Sequence, residues 1–263
     1  MYKRQRKYRP QKLKEVIGQD FTVQTLTNAF AKEKLAHAFL FTGIRGVGKT
    51  TIARILAMGL NCETENKPTA NPCGICSNCK AILQDRYEDV LEIDAASNTG
   101  VDDVREIISS LKYRPSKGSY KVFIIDEVHM LSNSAFNALL KTIEEPPSFV
   151  KFIFCTTEMQ KIPITIVSRC QKYNLNRVTL TALCNYLEEL AELEKLNISK
   201  EAIAVIARNS EGSIRDSLTI LDQCILSFNN ENIDIESVNQ TLGLTSQSFL
   251  LDLYINIVNL SLI

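Results

Sequence analysis

"HAFLFTGIRGVGKTTIARILA", His37 to Ala57, passes from an apolar, strand-like run through Gly43, Gly46 and Gly48 into a segment with helical apolar spacing. The chain has ten glycines, and three of them fall within these six residues. GIRGVGKT, from Gly43 to Thr50, fits G-x-x-x-x-G-K-[ST] at every fixed position. Glycines let the backbone fold so that successive N–H groups point at one anion. The positive N-terminal end of the following helix adds to that attraction. Lys49 then supplies charge to β- and γ-phosphates, and the Thr50 hydroxyl can ligate magnesium. The candidate nucleotide-binding residues here are Gly43, Gly46, Val47, Gly48, Lys49, Thr50 and Thr51. The rival reading, a glycine-rich turn that binds nothing, is opposed by the strand–loop–helix context.

Working outward, VFIIDEVH ends an apolar run in Asp126 and Glu127. Ligands collect at the carboxyl ends of strands in open α/β sheets. Asp126 is expected on the magnesium side and Glu127 as the group that orients and polarises an attacking water. The other short apolar runs are AFLFTG, VLEIDAA, KFIFCTT and QKYNLNRV, several apolar on both faces as covered parallel strands are. Between them lie TTIARILAMGL, DDVREIISSLKY and NSAFNALLKTIEEPP, with helical spacing. The alternation predicts a three-layer α/β domain over residues 1–177. Pro146 and Pro147 stop its last helix.

After Val178 the strand signals fade. Three helices are expected over 178–242, with Ser199 as an N-cap and Ser213 with Asp216 as a weaker capping box. Another amphipathic helix is expected to begin near Gly243 and run to 263.

Cys62, Cys73, Cys76 and Cys79 give C-x10-C-x2-C-x2-C in a polar stretch with no core of its own. Such spacing lets four thiolates converge on one tetrahedral ion, which would supply the fold of the module at about 62–79. Four sulfur ligands leave no open position, so zinc is read as structural. Free thiols and an iron–sulfur cluster are the alternatives. The other four of the eight cysteines, Cys155, Cys170, Cys184 and Cys224, lie in apolar segments and read as small buried hydrophobes.

The 263 residues carry zero formal net charge, with 45% apolar and 23% charged residues, so no global basicity announces a nucleic-acid binder. MYKRQRKYRPQKLK holds seven basic residues and no acidic one. It reads either as a solvated terminus or as a strand attracting phosphate. No apolar core follows it, so it is not read as a signal peptide. No uninterrupted apolar run approaches about 18 residues, so no membrane span is expected and the cytoplasm is the expected location.

The sequence resembles the gamma/tau subunits of bacterial DNA polymerase III, the AAA+ ATPases of the sliding-clamp loader. The resemblance is carried, in order over about residues 7–225, by YRP (Tyr8, Arg9, Pro10), VIGQ, GIRGVGKT, GLNCET, PCGICSNC, EIDAAS, IIDEVHMLS, FNALLKTIEEPP, SRC and EGSIRDSL. It implies an AAA+ P-loop core with a five-stranded parallel sheet and a zinc-binding insertion, a small helical lid, and the start of a helical collar. It implies ATP, Mg2+ and structural zinc as cofactors, and an ATP hydrolase within the polymerase III holoenzyme. No polymerase site is suggested in the chain, so a nucleotidyltransferase label would come only from membership of that complex. The implied partners are the other loader subunits of a hetero-pentamer, the sliding clamp and primed DNA bound without regard to sequence.

The resemblance also assigns roles. It implies that the FIFCTT strand lies between the strands carrying the phosphate loop and Asp126, with Thr157 beside the γ-phosphate. Arg169 would be the arginine finger reaching a neighbour's ATP, and Arg215 would bring the lid onto the subunit's own ATP. Tyr8, Arg9 and Pro10 would line the adenine end. A family helix N-terminus facing DNA corresponds to Thr99–Asp102. The rival functions are another AAA+ DNA motor of the branch-migration type and a nucleotide-gated scaffold with little hydrolysis.

Overall fold

In a computed structural model the described residues are 3–65, 67–97, 101–111, 113–228, 232–244, 254, 255 and 257. They fall into two compact units, Arg9–Arg177 and Met1–Tyr8 with Val178–Ile263.

The chain opens with a short helix, α1 (Lys3–Lys7), that belongs to the second unit. The first unit then runs α2 (Asp20–Ala31), β1 (Ala38–Thr42), α3 (Lys49–Asn61), α4 (Ser77–Leu83), β2 (Val90–Asp94), α5 (Val101–Ser110), β3 (Lys121–Asp126), α6 (Asn133–Glu144), β4 (Val150–Thr156), α7 (Ile164–Val167) and β5 (Gln171–Asn174). The five strands form one parallel sheet in the order β2-β3-β4-β1-β5. β4 therefore lies between β1 and β3, as the family resemblance implies.

Alternation along each strand divides the core. Phe39, Phe41, Ile124, Ile153 and Cys155 face one layer with Ile52, Ile55 and Leu56 of α3. Ala38, Leu40, Phe123, Ile125, Phe152 and Phe154 face the opposite layer with Phe136, Leu139 and Ile143 of α6. Successive side chains on a strand point to opposite faces, so a sheet covered on both sides must be apolar throughout. β1 and β4 are buried at every position and apolar at all but Thr42, Lys151 and Thr156, whereas the edge strand β2 leaves Leu91 43% exposed.

The second unit contains α8 (Leu180–Glu194), α9 (Lys200–Asn209), α10 (Ile214–Phe228) and α11 (Ile235–Leu242) besides α1. Ser199 caps α9 by accepting from Ala202 N at 3.1 Å, and Ser213 accepts from Asp216 N at 3.2 Å. The sequence reading placed three helices between 178 and 242; α11 is a fourth. It is a short amphipathic segment whose N-cap Asp234 accepts from Ser237 N at 2.9 Å.

Within the basic N-terminus, Lys3–Lys7 form a helix and not a strand. Glu194 accepts from Arg4, from Lys7 Nζ at 2.8 Å and from the Tyr8 hydroxyl at 2.6 Å, while Arg4 also pairs with Asp222. These two largely buried carboxylates hold Arg4, Lys7 and Tyr8 against the helices, so residues 1–8 group with that unit and not with the sheet, where the sequence reading put them. The suggested DNA-facing backbone at Thr99–Gly100, the side chains of Val101 and Asp102 just after it, and most of the segment 243–263 lie outside the described residues.

Candidate functional site

The site forms at the carboxyl ends of β1, β3 and β4. After Thr42 the chain turns at Gly43, whose φ is +146°. A Cβ there would stand 2.5 Å from Leu175 O, so only glycine fits. Gly46 (φ 81°) and Gly48 (φ 107°) are also left-handed, and Gly48 is the N-cap of α3. The side chain of Val47 is fully buried in the core, so it offers the loop its backbone alone. Thr50 and Thr51 follow in the first turn of α3.

Lys49 is 6% exposed, and its Nζ donates to the carbonyls of Gly43 and Ile44, both at 2.9 Å. Burial pushes its pKa down, and Glu127 and Asp126 partly offset that. The Thr50 hydroxyl donates to Asp126 Oδ2 at 2.7 Å. Asp126 Oδ1 accepts from Glu127 N at 3.0 Å. Glu127 itself sits at φ 47°, a conformation that costs a non-glycine residue about 1–3 kcal/mol and clusters at functional sites. Its Oε2 accepts from the N–H and hydroxyl of Thr157, the residue just past β4. Lys49, Thr50, Asp126, Glu127 and Thr157 are thus brought together.

Two neighbours escaped the sequence reading. His129 is 6% exposed at its side chain, with Nδ1 2.9 Å from Thr156 Oγ1 and 3.5 Å from Glu127 Oε2, and Nε2 3.3 Å from Glu158 Oε1. Thr156 Oγ1 also accepts from Glu158 N at 3.0 Å, which ties the end of β4 to this cluster. The available signal was the position of His129 two residues past Glu127.

Arg169 donates Nη1 to Thr165 O at 2.7 Å and pairs through Nη2 with Glu144 Oε1 at 2.5 Å. Tyr8 and exposed Arg215 belong to the helical unit, and half-buried Arg9 and Pro10 to the sheet unit. The Arg215 carbonyl accepts from Gln5 Nε2 at 3.2 Å.

The sulfurs of Cys62, Cys73, Cys76 and Cys79 all lie within 4.8 Å of one another. A tetrahedral zinc with bonds of about 2.3 Å requires sulfurs about 3.8 Å apart, so the set fits that ion. Backbone N–H groups already point at the sulfurs: Cys73 N to Cys62 at 3.4 Å, Ile75 N and Cys76 N to Cys73 at 3.4 and 3.3 Å, and Cys79 N to Cys76 at 3.4 Å. Burial would raise the Cys73 thiol, but the N–H donors of Ile75 and Cys76 prevail and hold it down to about 6. Burial drives the Cys79 thiol up.

A family profile described as "DNA polymerase III, delta subunit" matches residues 18–179, and one described as "DNA polymerase III clamp loader subunit, ATPase lid domain" matches 182–230. The DNA polymerase III subunit tau of Escherichia coli (strain K12) is 47% identical over 238 residues, 90% of this chain but 36% of that protein. The chain thus spans little more than a third of that relative's length. The DNA polymerase III subunit gamma of Buchnera aphidicola subsp. Baizongia pistaciae is 43% identical over 254 residues, 97% of this chain and 68% of that protein. Among solved structures, the Thermotoga maritima RuvB Holliday junction branch migration motor shares the AAA+ fold, with a TM-score of 0.65 and 23% identity over 90% of this chain and 72% of that one.

Proposed function

The chain belongs to the tau/gamma family of DNA polymerase III subunits, and from that premise we propose that it is an ATP-binding and ATP-hydrolysing clamp-loader subunit. The observation that carries the proposal is the 2.7 Å hydrogen bond from Thr50 to Asp126, directly after a glycine loop shaped for phosphate. These two residues would hold magnesium between them. Bound magnesium neutralises charge on the β- and γ-phosphate oxygens.

The chain's own groups supply the rest. Backbone N–H groups from Gly46 to Thr51 bind phosphate, and Lys49 exchanges its two carbonyl partners for phosphate oxygens. Glu127 orients a water, and Thr157 donates to the γ-phosphate. Arg169 completes the site of a neighbouring subunit, and Arg215 carries the lid's response to nucleotide. Tyr8, Arg9 and Pro10 face the adenine. The four cysteines hold structural zinc.

Because one nucleotide touches core, lid and neighbour, its binding favours a closed assembly over an open one. That assembly would hold an opened sliding clamp on primed DNA within the polymerase III holoenzyme in the cytoplasm. Hydrolysis would release the clamp closed. Lys49, Asp126 and Glu127 are all retained, which favours turnover over a scaffold that binds ATP passively.

The test is calorimetric titration of the chain with Mg-ATP, followed by phosphate release in the presence of partner subunits, clamp and primed DNA. The reading expects binding that Lys49→Ala abolishes and turnover that the assembly stimulates. Uptake undiminished in Lys49→Ala, or turnover indifferent to the assembly, would overturn it.

A further inference from the structure

We infer that Glu144 is the positioning residue for Arg169, fixing its guanidinium for a phosphate that arrives from outside the chain. The inference rests on the role proposed above for Arg169 in a neighbour's site. Neither the sequence reading nor the family resemblance gave Glu144 a function.

Both residues have rigid backbones and exposed heads. Arg169 follows α7, whose Ile166 and Val167 are 1% and 2% exposed, and its N–H donates to Ile166 O at 3.0 Å. Glu144 is the last residue of α6, seated by the fully buried Leu139 and Ile143 and stopped by Pro146 and Pro147. The side chains meet outside the core, 35% and 47% exposed.

The placement of Glu144 is electrostatically poor. A carboxylate at a helix C-terminus faces the negative end of the helix dipole, so a cation must hold it there. Exposed pairs of this kind add little to stability, so their consequence falls on orientation. Arginine is rich in rotamers, and fixing it beforehand removes that entropic cost from the reacting assembly. Glu144 and the Thr165 carbonyl each take one hydrogen from a different terminal nitrogen. The other N–H groups of the planar fork stay available for phosphate, the geometry to which guanidinium is suited.

The experiment measures steady-state phosphate release by the chain assembled with its partner subunits, clamp and primed DNA, comparing wild type, Glu144→Ala, Glu144→Gln, Arg169→Ala and the Glu144→Ala/Arg169→Ala double variant. Glu144→Ala is expected to lower kcat about tenfold with KM for ATP unchanged. Glu144→Gln, which keeps an acceptor oxygen, restores most of the rate. The double variant matches Arg169→Ala alone, since Glu144 acts only through that arginine. If Arg169→Ala is defective but Glu144→Ala turns over at or above the wild-type rate, the positioning role falls while the arginine's role stands. A further loss in the double variant, or a raised KM with a lowered melting temperature, also overturns it. If Arg169→Ala itself runs at the wild-type rate, the proposed role in the neighbour's site fails and this inference fails with it.

Discussion

Thr157 gives one oxygen of Glu127 two hydrogen bonds, its backbone N–H to Oε2 at 3.3 Å and its hydroxyl to the same atom at 3.1 Å. The proposed water-orienting carboxylate is therefore parked on the residue proposed to sense the γ-phosphate. Phosphate and carboxylate would compete for the same donors, so occupation of Thr157 by phosphate would free Glu127 for the water-orienting role proposed above.

Thr157→Val removes the hydroxyl and keeps the N–H. Loss of one donor aimed at developing charge lowers kcat about a hundredfold. Nucleotide affinity, set by the loop, changes little. Phosphate release and calorimetry on the same samples check this; a variant with full turnover would remove Thr157 from the mechanism.

Gly43→Ala places a Cβ 2.5 Å from Leu175 O at a φ of +146°. The expected result is a loss of about 2 kcal/mol in a denaturant titration, together with weaker Mg-ATP binding. Unchanged stability would mean that the Leu175 backbone yields freely.

Zinc content is directly measurable. The chain is expected to carry one zinc ion, lost in Cys76→Ser and on treatment with a chelator, with the segment 62–79 becoming sensitive to protease. A metal-free protein unaffected by chelator would return the four cysteines to the free-thiol reading, and iron absorption bands would indicate a cluster.

Glu194 links stability to pH. Burial would raise its pKa, but hydrogen bonds from Lys7, Tyr8 and Arg4 outweigh that and hold it down at about 2. Its folded value lies below its unfolded value, about 4.3. Its contribution is therefore full above the unfolded value and is lost as pH falls from there toward 2. The stability difference between wild type and Glu194→Gln, from urea titrations, is expected to be largest at neutral pH and to shrink across that window. A difference that stays constant from pH 7 to pH 2 would contradict the ion-pair account.

The sheet and its phosphate loop were legible because the central strands β1, β3 and β4 are largely apolar runs bounded by turn chemistry, and because Gly43, Gly48, Lys49 and Thr50 act through local spacing. Asp126 and Glu127 were legible as the polar end of such a run. What spacing could not show was pairing across the chain. Glu194 lies 186 residues from Tyr8, and no local pattern links them. His129 likewise reads as one more residue of a short helical turn until β4 brings Thr156 against it. α11 was hidden by its length, eight residues after a polar stretch. Arg169 and Arg215 were singled out through the family motifs SRC and EGSIRDSL, since a lone arginine carries no spacing signal.

The grouping of Met1–Tyr8 with Val178–Ile263 makes the helical unit discontinuous in sequence. A polypeptide cut to begin at Val178 would keep Glu194 and Asp222 while losing Arg4 and Lys7, the cations that neutralise them. Two shielded anions would be left without counter-charges, and such a fragment should be less stable than its apolar packing suggests. Trimming residues 1–8 to tidy the sheet unit would instead injure helices that begin only after Val178.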